Sequence, residues 1–175
     1  YTSLGTNGTQ ILGDLDDAVS SAINIGFDFV LGEQPFSQFI ASSNGFIRLG
    51  STAPAGNLYT PISTTSNTYS IAAVAGDGRS SGAVRHDVQG TAPNRVSIIQ
   101  YTGYRLLFNA TTRIVSFQIR LYETSNIIEI IYSGATGNTS TLTRQVGLRG
   151  SSTAADFRNC TGSIAQWNGL AAGTA

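Results

Sequence analysis

The chain has 175 residues, of which ten are Arg, none Lys and ten acidic, so that 11% of positions are charged and the formal net charge is zero. That length buries one sizeable core and points to a single domain over residues 1–175. A neutral chain with no basic stripe leaves no electrostatic footprint for nucleic acid or an anionic membrane surface, and both are excluded as partners.

In chain order, the acidic stretch Gly13–Asp17 opens the pattern and leads through AVSSAINI, either as a brief helix or directly, into a first long strand. There Ile23, Ile25, Phe27 and Phe29 recur with period two and share one face. A hairpin over Ser37–Leu49 follows. Asn44-Gly45 supplies the two positive-φ positions of a type I′ turn, with Ser43 facing Phe46. This register places Ile40, Ile47 and Leu49 on one face and Phe39, Ala41 and Phe46 on the other. Both faces are apolar near the turn, so the pair should be central or covered. Asn44, Gly45 and Phe46 are then structural residues of the packed framework, away from any ligand.

Further strands are predicted over Ser70–Ala75, Val84–Val88 and Arg95–Leu107. A second hairpin spans Ile114–Tyr132, with Val115, Phe117, Ile119 and Leu121 on one face. With Thr124-Ser125 as its loop, Leu121 faces Ile128, Ile119 faces Ile130 and Arg120 faces Glu129. That exposed ion pair sets register and contributes at most about 1 kcal/mol. Gln145–Leu148 and Ser163–Trp167 complete the set, and turn-rich clusters such as Gly50–Asn57 and Ser133–Thr141 separate the strands. Many short strands without a 3.6-residue period imply an all-β, antiparallel β-sandwich, jelly-roll-like, of about nine to eleven strands.

Several of these segments, taken in order, resemble a β-sandwich module of large secreted and cell-surface proteins of Bacteroidetes-type bacteria. They are INIGFDFVLGEQPFSQF, SSNGFIRLG, SIAAVAGDG, APNRVSIIQYTGYRL, VSFQIRLYETSNIIEIIYSG and QVGLRGSSTAADF. The resemblance implies delivery associated with type IX secretion, and roles in cell adhesion, gliding or biofilm matrix. Two departures stand out. The family often carries a Trp-Asp pair where this chain has Ala75-Gly76-Asp77, and no C-terminal sorting domain follows Ala175.

The composition agrees with a secreted or cell-surface location, because Ser, Thr, Gly and Asn fill positions that Lys and Glu take in cytosolic proteins. The chain has no Met, and Tyr1 is read as the point where a leader or precursor was cut. No apolar run is long enough to span a bilayer. Cys160 is the single cysteine, so packing and not a disulfide must hold the fold, and it is read as a buried, inert thiol.

Chemistry is sparse. A Ser-His-Asp relay would have to be built on His86, and Asp87, its neighbour on a strand, points to the opposite face. Glu123 and Glu129 share one hairpin and make a poor glycosidase pair. Asp14, Asp16 and Asp17 place three hard oxygen ligands close together in sequence, with Asp77 on a loop that could approach them. Calcium is therefore the one cofactor considered. Tyr59, Tyr69 and Trp167, with Tyr101 and Tyr104, are candidate aromatics for a sugar-stacking platform.

The expectation is a non-catalytic extracellular structural or adhesive module. Its partner would be another copy, in a surface filament joined by β-strand addition through segments 1–12 and 163–175, or a cell-surface or matrix component. The alternative is a calcium-dependent carbohydrate-binding module with a glycan as ligand.

Overall fold

The computed structural model describes residues 1–137 and 142–159, together with the backbone of residues 163–164 and 173–174. The strands in chain order are β1 (Thr9–Leu12), β2 (Leu15–Asp16), β3 (Ile23–Leu31), β4 (Gln34–Ser42), β5 (Phe46–Leu49), β6 (Ser70–Ala75), β7 (Arg79–Ser80) and β8 (Val84–Gln89). They continue with β9 (Val96–Arg105), β10 (Ile114–Tyr122), β11 (Ile128–Tyr132), β12 (Leu142–Thr143), β13 (Gln145–Arg149), β14 (Phe157–Asn159), β15 (Ser163–Ile164) and β16 (Gly173–Thr174). Ten of these have four or more residues, in line with the expected number. The acidic stretch leads to the first long strand without a helix, and no helix of the described residues is long and apolar enough to cross a membrane.

Two antiparallel sheets form the sandwich. The first runs β1-β8-β9-β10-β11-β16, with β7 also on β9 and β2 on β7. The second runs β14-β13-β6-β5-β4-β3, and β12 with β15 makes a separate ribbon. Period-two patterning builds the layer between them. Ile25, Phe27 and Phe29 of β3 and Val115, Phe117, Ile119 and Leu121 of β10 all join one buried cluster, while Asn24 and Asp28 remain exposed. The Phe117 ring stacks on Tyr101, with centroids 4.5 Å apart, and meets the edge of Tyr104 at 5.6 Å. A bulge opposite Val115–Phe117 turns both tyrosines inward, although they lie three residues apart on β9. Tyr101 and Tyr104 are thus fully buried core residues and not members of an exposed sugar-stacking platform.

The Ser37–Leu49 hairpin forms with a register one step from the expected one. Ser42, not Ser43, faces Phe46, so Ser43-Asn44-Gly45 is a three-residue connection in which only Gly45 has positive φ (82°). Three-residue loops of this kind need one left-handed residue where a type I′ turn needs two. The faces re-sort accordingly. Phe39, Ala41, Ile47 and Leu49 enter the main core, and Phe46 turns to the outer side against Ile62, Ala72 and Ala75. The pair is interior to its sheet and covered on both faces, as its apolar pattern implied. Arg149 fastens that cover: fully buried, it donates from Nε to the Ile62 carbonyl, while Gln145 Oε1 accepts from Ile62 N at 2.8 Å. The second hairpin keeps its expected register, Ile119 to Ile130, Arg120 to Glu129 and Leu121 to Ile128.

Segment 1–12 lies on its own chain. β1 pairs with β8, Leu4 is buried, Leu4 N donates to Gln100 Oε1 at 2.8 Å, and Gln118 Nε2 donates to the Thr2 carbonyl at 2.7 Å. At the other end β16 pairs with β11, and Cys160 and Trp167 lie outside the described residues.

Polar groups also bridge the layers. Tyr101 Oη lies 2.9 Å from the carbonyls of both Ser42 and Phe46, which ties β9 of the first sheet to the mouth of the hairpin in the second. Tyr101→Phe keeps the ring stack but removes the one buried O–H that the Ser42 and Phe46 carbonyls share, and should cost about 1–3 kcal/mol. Urea titration checks this, with a lowered midpoint at unchanged slope as the expected result.

Candidate functional site

The hairpin turn delivers one polar side chain to the end of the sandwich where three loops meet. Asn44 is fully buried. Its Nδ2 donates to Asp17 Oδ1 at 3.1 Å and to the Gly56 carbonyl at 2.8 Å, and its Oδ1 accepts from Gly78 N at 3.2 Å. One amide thereby joins the loop before β3, the Gly50–Asn57 segment and the β6–β7 connection. The sequence placed Asn44 in the framework, away from any site; its backbone is there, and its side chain organises the acidic cluster.

That cluster is Asp16, Asp17 and Asp77, which offer carboxylate oxygens within 4.8 Å of one another. Asp77 thus joins two of the three aspartates singled out in the sequence. Asp14 is drawn off instead, its Oδ1 accepting from Arg79 Nε at 2.5 Å. Asp17 has donors on both oxygens, Asn44 on Oδ1 and Tyr59 Oη on Oδ2 at 3.0 Å. Asp16 Oδ1 is buried with no hydrogen-bond partner. Burial and then the charges of Asp16 and Asp17 raise the Asp77 carboxyl above its ordinary value, with Arg144 pulling it down. Burial and the Asp17 carboxylate push the Tyr59 phenol up to about 12.

Two buried side chains border the cluster from the protein side. Tyr104 is fully buried, and its Oη has no partner. It lies against Gly78, so close that a Cβ there would be 2.0 Å away, and this brings the hydroxyl beside Asp77. Burial pushes its ionisation up, the Arg144 charge opposes this, and the Asp77 and Asp16 charges add to it. Arg144, 6% exposed, donates from Nη1 to the Thr143 carbonyl at 2.8 Å, while Nε and Nη2 are buried without partners. Its guanidinium rests against the backbone of Gly76, next to Asp77. Sequence reasoning did not single out Arg144, and offered Tyr104 as a sugar-platform aromatic. The available signal was Gly103, an isolated glycine inside Val96–Arg105 whose positive φ (62°) sits in the β9 bulge that turns Tyr104 inward.

The other candidates are placed elsewhere. His86 is half-buried in β8, edge-on to Phe39 at 5.1 Å, with Nε2 2.8 Å from Ser97 Oγ. Ser97 is itself fully buried, so this pair faces the core and not a substrate. Asp87 bonds Gln89 Nε2 at 3.0 Å on the opposite face. Glu123 is gripped by Arg95 through Nε at 2.8 Å and Nη2 at 2.5 Å, and that hydrogen bonding holds its carboxyl down at about 2. Glu129 accepts from Tyr122 Oη at 2.7 Å and lies 3.5 Å from Arg120. Neither carboxylate is poised for acid–base work. Tyr69 packs its ring on Phe36 at 4.8 Å, while Tyr59 is held at Asp17.

Among known proteins, a family model described as NIDO related matches residues 1–172. No curated protein and no solved structure matches the chain.

Asn44→Ala removes the shared partner of three loops and should cost about 3 kcal/mol in chemical denaturation, near the upper end for a single buried polar group. His86 generates a pH dependence. Burial lowers its pKa from 6.5, so the fold favours the neutral ring, and its contribution is full above that value and lost as pH falls through the lowered one. Melting temperature should therefore drop between about pH 7 and about pH 5, with a smaller drop in His86→Gln.

Proposed function

We propose that this chain, which belongs to the NIDO-related family, is a non-catalytic extracellular module that acts structurally or adhesively, with its own N-terminal segment as the contact it offers to a second copy. The observation that carries this is the way residues 1–12 are held. One four-residue strand on β8 and a few polar contacts across the outer face of the first sheet fix the segment, with Leu4 buried near its start and Leu12 entering the main core at its end. A strand held at a sheet edge by main-chain hydrogen bonds can be supplied equally by a neighbouring molecule, since the same bonds form in either case. Joined head to tail, such copies make an extracellular filament, which fits the adhesion and matrix roles implied by the bacterial surface-protein resemblance.

The absence of a catalytic function rests on the use already made of the obvious groups. Glu123 is neutralised by Arg95, and the His86–Ser97 pair faces the core. A carbohydrate-binding module draws less support, because Tyr59 is committed to Asp17 and Tyr69 to Phe36.

The test compares the full chain with a variant lacking residues 1–12 by dilution, SDS gel and electron microscopy. The full chain should form SDS-resistant multimers whose size does not depend on concentration, and the shortened chain should not. A full chain that is monomeric throughout, and unchanged by the deletion, rules the filament out.

A further inference from the structure

We propose that Asp16, Asp17 and Asp77 form a calcium site that ties the segment after β1 to the β6–β7 connection. This goes beyond the filament reading and stands without it.

Three observations converge on the site. The first is charge: three carboxylates lie within reach of one ion, and the cations set against them are the Arg144 guanidinium and, opposite Asp16, an Arg79 already engaged by Asp14, which leaves two negative charges. Asp14 does not add to this, since Arg79 neutralises it. The second is the buried Asp16 Oδ1, which has no donor from the protein. A desolvated carboxylate oxygen in this state needs a proton, a cation or a bound water to be tolerable. A proton would relieve one charge of three, and a divalent ion balances the net charge of the site. The third is independent of the acids: Tyr104, fully buried, presents an unpartnered hydroxyl against Gly78 beside Asp77. Hydroxyls in this state mark a place where a polar ligand or its hydration belongs.

The donor set selects the metal. Only hard oxygens are offered, and they come from two segments distant in the chain, the end of β2 and the β6–β7 connection, rather than from one rigid motif, which suits the irregular six- to eight-fold sphere of calcium better than the octahedron of magnesium. Calcium–oxygen distances near 2.4 Å put opposite ligands about 4.8 Å apart. The carboxylate oxygens, all within 4.8 Å of one another, therefore fit inside one coordination sphere as they stand. Asn44 acts here as a positioning residue, because its amide fixes Asp17 on one side and Gly78, beside Asp77, on the other.

The test uses the full chain stripped with EDTA. Terbium excited through the tyrosines, Tyr59 and Tyr104 being adjacent, should luminesce and be displaced by CaCl2. Melting temperature should rise by several degrees in millimolar CaCl2 and not in NaCl of matched ionic strength. Asp77→Asn should weaken calcium binding about tenfold or more and, by relieving repulsion, raise the melting temperature in EDTA. Asp14→Asn should leave the calcium affinity unchanged. Absence of sensitised terbium emission together with a calcium effect no larger than that of NaCl overturns the site, as does an Asp14→Asn variant as impaired as Asp77→Asn. If Asp77→Asn does not fold, terbium displacement by calcium on the unaltered chain decides the question alone.

Discussion

The Asn44 side chain has no solvent to fall back on. Fully buried, it must find protein partners for both its N–H groups and its carbonyl, and it finds them on three separate loops. Each loop is Gly-, Ser- or Asp-rich and has little apolar surface of its own to dock with, so a shared hydrogen-bond hub does what hydrophobic contact does elsewhere in the sandwich. The three-residue turn is what allows this. A type I′ hairpin would spend Asn44 on a left-handed backbone at the tip, whereas here Gly45 alone takes the positive φ and Asn44 is free to turn inward. The Ser43 hydroxyl completes the arrangement by accepting from Ala18 N at 2.9 Å, which fixes the chain just past Asp17.

Comparable polar ties hold the two layers elsewhere. Tyr101 reaches from the first sheet to the hairpin mouth, and Tyr132 donates to the Ala73 carbonyl of the second sheet. Arg95 spends its fork on Glu123 and its remaining Nη1 on the Gly26 carbonyl of the edge strand β3, at 2.7 Å. Dispersion and burial of the aromatic cluster supply the bulk attraction between the sheets, but they are nearly indifferent to a small slide. Directional bonds from phenols and guanidinium are not, and they fix the alignment of one layer on the other. A chain with few charges and no disulfide within its described residues relies on such bonds for register.

The legible part of the structure is the part governed by local periodicity. Alternation in Ile23–Phe29 and in Val115–Leu121 reports which side is buried, and the polar turn at Glu123–Asn126 fixes Arg120 opposite Glu129 without further information. What sequence reasoning misses follows from one-residue irregularities. The SSNG turn admits two registers, and choosing the two-residue loop moves every side chain of the strand by one position. The β9 bulge turns Tyr104 inward against the period-two rule. The acidic cluster was half visible. Three aspartates close in sequence stand out, but which of them share a site depends on Arg79, distant in the chain, claiming Asp14, and on Asn44 bringing the β6–β7 loop to Asp17. Neither partnership leaves a local trace.

Charge placement gives the last step. Asp14, Glu123 and Glu129 each have an arginine, and the Asp156 carboxylate is held below its ordinary range chiefly by hydrogen bonds from Ser151. Asp16, Asp17 and Asp77 have the incompletely satisfied Arg144 and, opposite Asp16, an Arg79 already engaged by Asp14, at the point where the chain passes from the first strand into the sandwich. A strand that can be exchanged between molecules needs a fixed point immediately behind it, or the disturbance of its departure would propagate into the core. Asp17 is held by Asn44 and Tyr59, and the Ser20 hydroxyl accepts from Ala41 N at 2.9 Å. Under the proposed exchange, the boundary between the exchanged strand and the rest of the sandwich falls at this cluster, and an ion seated there would harden it.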